Sequence, residues 1–138
     1  MTVLLDTSVL VAAFTPDLHT EAAERLLLRS ERFLVSDWAA AEFSSAVRIK
    51  VRQGIVREDG LENVEAAFDG WVRSLGGRQR LSADDAVQAR AMIVRRAGLR
   101  APDALHIAIA VRLSATLATF DDRQANVAGL ESIPVLVR

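Results

Sequence analysis

An α/β fold, with a central, mostly parallel sheet of about five strands and helices on both faces, is what the patterning of this chain predicts. Three observations predict it. Short apolar runs alternate with segments whose apolar residues recur at helical spacing, the pattern of strand–helix units that build a parallel sheet. One helical segment, residues 101–111, is apolar on nearly every side and therefore belongs inside a core. And 138 residues, 51% of them hydrophobic and 25% charged, suit a single folded domain spanning 1–138. A domain of that size buries roughly two-thirds of its unfolded surface.

The elements follow in order. Val3-Leu4-Leu5 is a short apolar run ending at Asp6, as in a strand buried on both faces. Thr7 or Ser8 is placed to cap a short helix over residues 9–14, which Thr15-Pro16-Asp17 breaks. A helix over residues 19–29 is marked by Ala22, Ala23, Leu26 and Leu27, and a second strand by Phe33-Leu34-Val35. Ser36 or Asp37 caps a long helix reaching about Gln53 and ended by Gly54. Leu61, Val64, Phe68, Trp71 and Val72 set out the next helix, residues 57–75, closed by Gly76-Gly77. Gln79-Arg80-Leu81 is a weak strand. Ser82-Ala83-Asp84-Asp85 reads as a capping box opening a helix to about Arg96, with Gly98 at its end. The apolar helix has Pro102 in its first turn, where a missing N–H costs nothing. Thr116-Leu117-Ala118-Thr119 is a strand leading into Phe120-Asp121-Asp122. Residues 133–137 form the last strand, and Pro134 places it at the sheet edge.

Composition excludes several chemistries. The chain has no cysteine, so disulfides, thiolate catalysis and cysteine zinc sites are out, and two histidines, His19 and His106, are too few for a histidine-rich metal centre. No run approaches the ~20 apolar residues of a membrane span. Asp6 interrupts the N-terminal apolar run before a signal-peptide core can form, so the cytoplasm is the expected compartment, with no membrane partner. A net charge of −1 neither announces a nucleic-acid partner nor forbids one.

Four acids carry the functional reading. Ligands of an open α/β sheet bind outside the carboxyl ends of the strands, and helices running back put their N-termini on that same rim. Asp6 ends the first strand and Asp121 lies just past the Thr116 strand. Asp103 sits in the first turn of the apolar helix, and Glu42 in the second turn of the helix capped near Asp37, in the row Trp38, Glu42, Ala46 that faces the protein. Spacing alone leaves Asp121 and Asp122 as alternatives, and Asp103 alone could simply complement the helix dipole. Asp37 reads as a cap, and Asp84 and Asp85 as first-turn acids. His106, one turn beyond Asp103, reads as a hydrogen-bonded core histidine. Carboxylates gathered at one rim resist ionising together, and a hard divalent cation, Mg²⁺ or Mn²⁺, relieves that cost. Thr7, Ser8 and Thr119 add hydroxyls that orient a ligand or water. The chemistry that fits is metal-assisted phosphodiester hydrolysis, with one or two cations among the acids.

The segments Leu5-Asp6-Thr7-Ser8, Ala41-Glu42-Phe43, Ala101-Pro102-Asp103-Ala104-Leu105-His106-Ile107-Ala108 and Leu117-Ala118-Thr119-Phe120-Asp121 resemble the PIN domain, and more narrowly the VapC-type ribonuclease toxins of toxin–antitoxin pairs. The resemblance runs through the whole chain and implies a three-layer PIN-like fold. It implies a Mg²⁺- or Mn²⁺-dependent endoribonuclease with Asp6, Glu42, Asp103 and Asp121 as catalytic and metal-binding residues. The hydroxyl-x-acid pattern falls on Thr119-Phe120-Asp121, which selects Asp121 over Asp122. It also implies a homodimer and neutralisation by a small antitoxin whose C-terminal part enters the groove, within a higher-order toxin–antitoxin complex.

For RNA binding the sequence offers Arg48 and Arg52, one turn apart on the Glu42 helix, and Arg100 just before Asp103, against the plainer reading that they solvate the surface. With no Tyr and two Trp, an aromatic platform is not expected to drive recognition. The Trp71 helix and the 83–96 helix carry more apolar residues than a thin domain covers, which favours a two-fold dimer. Two rival readings remain. A PIN-like scaffold would bind RNA or protein without cleaving. An aspartyl-phosphate phosphotransfer domain would use Asp6 as nucleophile, although Ser8 stands where a second acid is usual and Lys50 is the sole lysine.

Overall fold

The structure, a computed structural model, describes residues 1–136. Three parallel strands form its centre: β1 (Thr2–Leu5), β2 (Arg32–Leu34) and β3 (Thr116–Ala118), in the order β2-β1-β3. Val3 pairs with Phe33 on one side and Thr116 on the other. The sheet is narrower than the five strands expected. The two outer candidates reach it through a single bridge each, Gln79 against Ser36 and Val135 against Leu117, both parallel. Gln79 joins through its own N–H and C=O (2.8 Å each), and Pro134, lacking an N–H, gives its carbonyl to the Leu117 N–H (2.9 Å). Each is thus a sheet edge one residue pair long, and Pro134 lies on the edge as its missing donor requires. Val137, the end of the last predicted strand, falls outside the described residues.

Alternation along β1 divides the core. Val3 and Leu5 point to one face, where α1 (Thr7–Phe14), α2 (Thr20–Leu27), α3 (Asp37–Arg52) and α4 (Leu61–Ser74) pack around Phe43 and Phe68, whose rings stack at 4.1 Å. Leu4, Leu34 and Leu117 point to the other, against α5 (Ala83–Arg95), α6 (Ala101–Arg112) and α7 (Asp122–Leu130). Helices therefore cover both faces, giving three layers. A single 3-10 turn, Glu58–Gly60, precedes α4, and Gly76 and Gly77, both at positive φ (95° and 100°), follow it.

Three local expectations change. The cap of α1 is Asp6 itself, whose Oδ1 accepts the Val9 N–H at 3.2 Å, rather than Thr7 or Ser8. Helix α7 was not anticipated; its N-cap is Asp121, which accepts the N–H groups of Arg123 and Gln124. And Asp85 does more than complement a helix end. Besides closing the capping box with Ser82, it is 1% exposed and takes a bidentate pair from Arg112 (2.7 and 2.8 Å). The apolar helix α6 is buried as expected over Ala104 and His106 to Ala110, with Val111 at its exposed end.

Candidate functional site

Each of the four acids reaches the rim by a different local route. β1 and β3 run parallel, with the Asp6 N–H bonded to the Ala118 carbonyl (3.1 Å), so Asp6 and the Thr119–Asp121 segment leave the sheet side by side. Thr119 donates to Asp6 Oδ2 (2.6 Å), Ser8 to Asp6 Oδ1 (2.6 Å), and the Phe120 N–H to Ser8 Oγ (2.9 Å). The Asp121 N–H returns to Thr119 Oγ1 (3.0 Å). The three hydroxyls singled out in the sequence are therefore wired to the acids, since the Thr7 hydroxyl donates to Glu42 Oε1 (2.8 Å). The indole of Trp38 donates to the Pro102 carbonyl (3.3 Å), holding the start of α3 against the start of α6 and setting Glu42 beside His106.

His106 is the residue whose importance the sequence understated. It is buried, and its Nε2–H donates to Glu42 Oε1 at 2.5 Å, with Thr7 Oγ1 3.4 Å away. Its Nδ1 has no partner among the described residues. Its reach is visible in the carboxyls around it. Burial pushes Asp6 above the ordinary carboxylate range, against the pull of His106 and the bonds from Ser8, Thr119 and the Val9 N–H. Burial also works on Glu42, but the bonds from His106 and Thr7 and the charge of Arg100 hold it below its ordinary value. Asp103, half-buried, is raised by burial and by the negative charge of Asp121, with Arg100 and His106 opposing. Asp121, Asp103, Glu42 and Asp6 thus form one electrostatic neighbourhood. Asp122, the first residue of α7, is exposed and is not among the groups that shift Asp103.

The arginines divide. Arg100 lies against Asp103 (Nε to Oδ2, 3.4 Å) and its charge reaches Glu42, which puts it at the rim. Arg48 is held by Glu58 (2.9 and 3.2 Å), and Arg52 is exposed in the last turn of α3, further from Glu42. Sequence reasoning missed Gln124, which is 1% exposed and whose Nε2–H donates to the Asp103 carbonyl (3.4 Å), tying α7 to α6. No signal in the chain marked it, because α7 itself lacks a strong apolar stripe.

The four acids and the hydroxyls of Thr7, Ser8 and Thr119 offer oxygens, the ligands a hard divalent ion prefers. Burial raises the carboxyls of both Asp6 and Asp103, and for Asp103 the negative charge of Asp121 adds to it, a cost that a bound cation would offset. In charge and donor chemistry the residues fit such an ion. They are not closed on one point: both Asp6 oxygens accept hydroxyls, Glu42 Oε1 is turned to Thr7 and His106, and no three acids or histidines stand at ligand spacing among the described residues.

Comparison with known proteins fits this geometry. The PIN domain family model matches residues 3–130. The chain belongs to the PIN domain family. Among curated proteins, Ribonuclease VapC3 of Pyrobaculum aerophilum is 26% identical over 137 residues, covering 99% of this chain and 98% of that one. Among solved structures, Mycobacterium tuberculosis VapC20, described as a Sarcin-Ricin loop cleaving toxin, superposes with a TM-score of 0.71 at 20% identity, covering 90% of this chain and 93% of that one. VapBC2 from Rickettsia felis, bound to a DNA fragment from its promoter, gives a TM-score of 0.68 at 18% identity over 100% and 99% of the two chains. This PIN domain therefore has the fold of VapC toxins, and its acidic rim stands at the carboxyl ends of β1 and β3. No helix among its described residues is long and apolar enough to cross a membrane.

Proposed function

We propose that this PIN domain is a divalent-metal-dependent endoribonuclease toxin, restrained by a cognate antitoxin. The observation that supports this reading is the gathering of Asp6, Glu42, Asp103 and Asp121, from four separate elements, toward one rim where burial raises Asp6, and burial together with the charge of Asp121 raises Asp103. Asp6, Asp103 and Asp121 would hold a Mg²⁺ or Mn²⁺ ion, with Glu42 reaching it through water. Such an ion acidifies water and stabilises charge on a phosphoryl oxygen. Ser8 and Thr119 keep the Asp6 carboxylate in one orientation. Glu42, ionised and fixed through Oε1 by Thr7 and His106, has Oε2 available to take a proton from an attacking water. Arg100, exposed and beside Asp103, supports contact with the RNA backbone, with Arg48 and Arg52 further along α3.

Partners follow the same reasoning. The likeness to VapBC2, a toxin–antitoxin pair, supports a small antitoxin as the protein partner. Val87 and Val94, seven residues apart on one face of α5, are 62% and 82% exposed and support a homodimer through that face. α4 contributes less than expected, since Phe68 and Val72 are spent inside the core. The reading is tested by incubating the purified chain with single-stranded RNA. Cleavage should need Mg²⁺ or Mn²⁺ and stop with EDTA. RNA bound but left intact with either ion would instead support a non-catalytic scaffold.

A further inference from the structure

Beside the acidic rim lies a pair of rings that the mechanism above leaves unused. His19 and Phe120 stack at 4.5 Å between centroids, 9° from parallel. Phe120 is fixed from the rim, because its backbone N–H donates to the same Ser8 hydroxyl that donates to Asp6. His19 is fixed from the loop between α1 and α2. Its backbone N–H donates to Asp17 Oδ1 (3.0 Å), and Asp17 is clamped by Lys50 Nζ (2.9 Å), which also donates to the Pro16 carbonyl (2.5 Å). The two rings line a groove of about 380 Å³ with Thr7, Ser8, Asp17 and Asp121. The His19 side chain caps nothing at the start of α2, and no described residue hydrogen-bonds its ring.

The charges of the groove give this ring its meaning. Asp17 and Asp121 are the charged residues of the lining, and His19 is its imidazole. No lysine or arginine is among the residues lining the groove, and Lys50, which clamps Asp17 from beside it, is itself paired with that carboxylate. The Thr7 and Ser8 hydroxyls already donate to Glu42 and Asp6, so the side-chain donor that the lining leaves for a polyanion is one imidazole. An imidazole keeps an N–H donor in either tautomer. Stacking on Phe120 fixes the ring plane and hence the plane in which that donor lies. We propose that His19, held flat on Phe120, is a substrate-binding residue that donates its ring N–H to a phosphoryl oxygen of the RNA strand beside the scissile link. This rests on the ribonuclease reading above.

The test uses three substitutions of His19 in the full chain: His19→Ala removes ring and donor, His19→Phe keeps a ring without a donor, and His19→Gln keeps a donor without the ring. Cleavage of a labelled single-stranded RNA oligonucleotide of mixed sequence with Mn²⁺ gives KM and kcat. Anisotropy with the same RNA in an Asp103→Asn background gives Kd without turnover. Loss of one hydrogen bond to a charged group should raise KM and Kd roughly tenfold for both His19→Ala and His19→Phe, with His19→Gln nearer the parent and kcat within about twofold throughout. Melting curves of His19→Phe should match the parent, so a folding defect cannot mimic the result. If His19→Phe binds and cuts as well as the parent, or His19→Ala lowers kcat at unchanged KM, the proposal is overturned. Should the parent cut RNA and all three variants match it, His19 alone is refuted. Should the parent neither bind nor cut, the ribonuclease reading falls and this proposal with it.

Discussion

Asp103 and Glu42 face the same space, yet removing their charges should move the metal-free fold in opposite directions. The folded-state value of Asp103 is raised above 3.8, so the native state binds its proton more tightly than the unfolded chain does. Its ionisation therefore costs stability as pH rises through the window between the two values. In chelator, Asp103→Asn should match the parent near pH 4 and melt at the same or a higher temperature at pH 7. A variant that loses stability relative to the parent as pH rises would show that Asp103 serves the α6 dipole alone. Glu42 is lowered from 4.5, so its stabilising contribution is present above that value and is lost as pH falls through the lower folded one. Glu42→Gln weakens the bonds from Thr7 and His106 and should cost about 1–2 kcal/mol at pH 7, read from urea unfolding. The four acids could be proposed from the sequence because each lies near a strand end or a helix start. The hydroxyls of Thr7, Ser8 and Thr119 could be named too, but the joint hold of Thr7 and His106 on Glu42 could not, since it forms only when residues 35 and 64 positions away fold against it.

At the level of elements, legibility followed apolar density. β1, α3, α4 and α6 were readable because large apolar residues recur at strand or helix spacing, whereas α7, built on Ala125, Ala128 and Gly129, gives too weak a stripe. The caps of α1 and α7 were misread or missed for a related reason: Asp6 and Asp121 each serve as N-cap and as rim carboxylate, and the sequence shows a residue type, not a dual use. The sheet edges came out shorter because a strand's length depends on its neighbour's register, which composition does not carry. Asp85 shows how an element can be fixed away from the site. Its pairing with Arg112 joins α5 to the end of α6, and Arg112 also donates to the Arg80 carbonyl (3.0 Å). Arg112→Met leaves a buried carboxylate unpaired and should lower stability by about 3 kcal/mol. RNA cleavage per folded molecule should stay near the parent's. Unchanged denaturation midpoints would mean that the pair contributes nothing to holding these helices together.

For the whole molecule, the account joins a fold, a rim and an assembly. The exposed Val87 and Val94 give α5 a patch that a second copy would cover. A Val87→Glu, Val94→Glu double variant should run as a monomer by light scattering where the parent is a dimer, and a parent that is itself monomeric at high micromolar concentration would remove the dimer. The central claim is that the four carboxylates act as one cation-dependent centre for cutting RNA, and calorimetric titration of Mn²⁺ beside an RNA cleavage assay tests it most directly. The parent should bind Mn²⁺ and cut. Asp6→Asn, Asp103→Asn and Asp121→Asn, folded as judged by their melts, should lose Mn²⁺ affinity and cleavage together, each by roughly a hundredfold or more. Variants that bind Mn²⁺ as tightly as the parent and still cleave RNA would contradict the account.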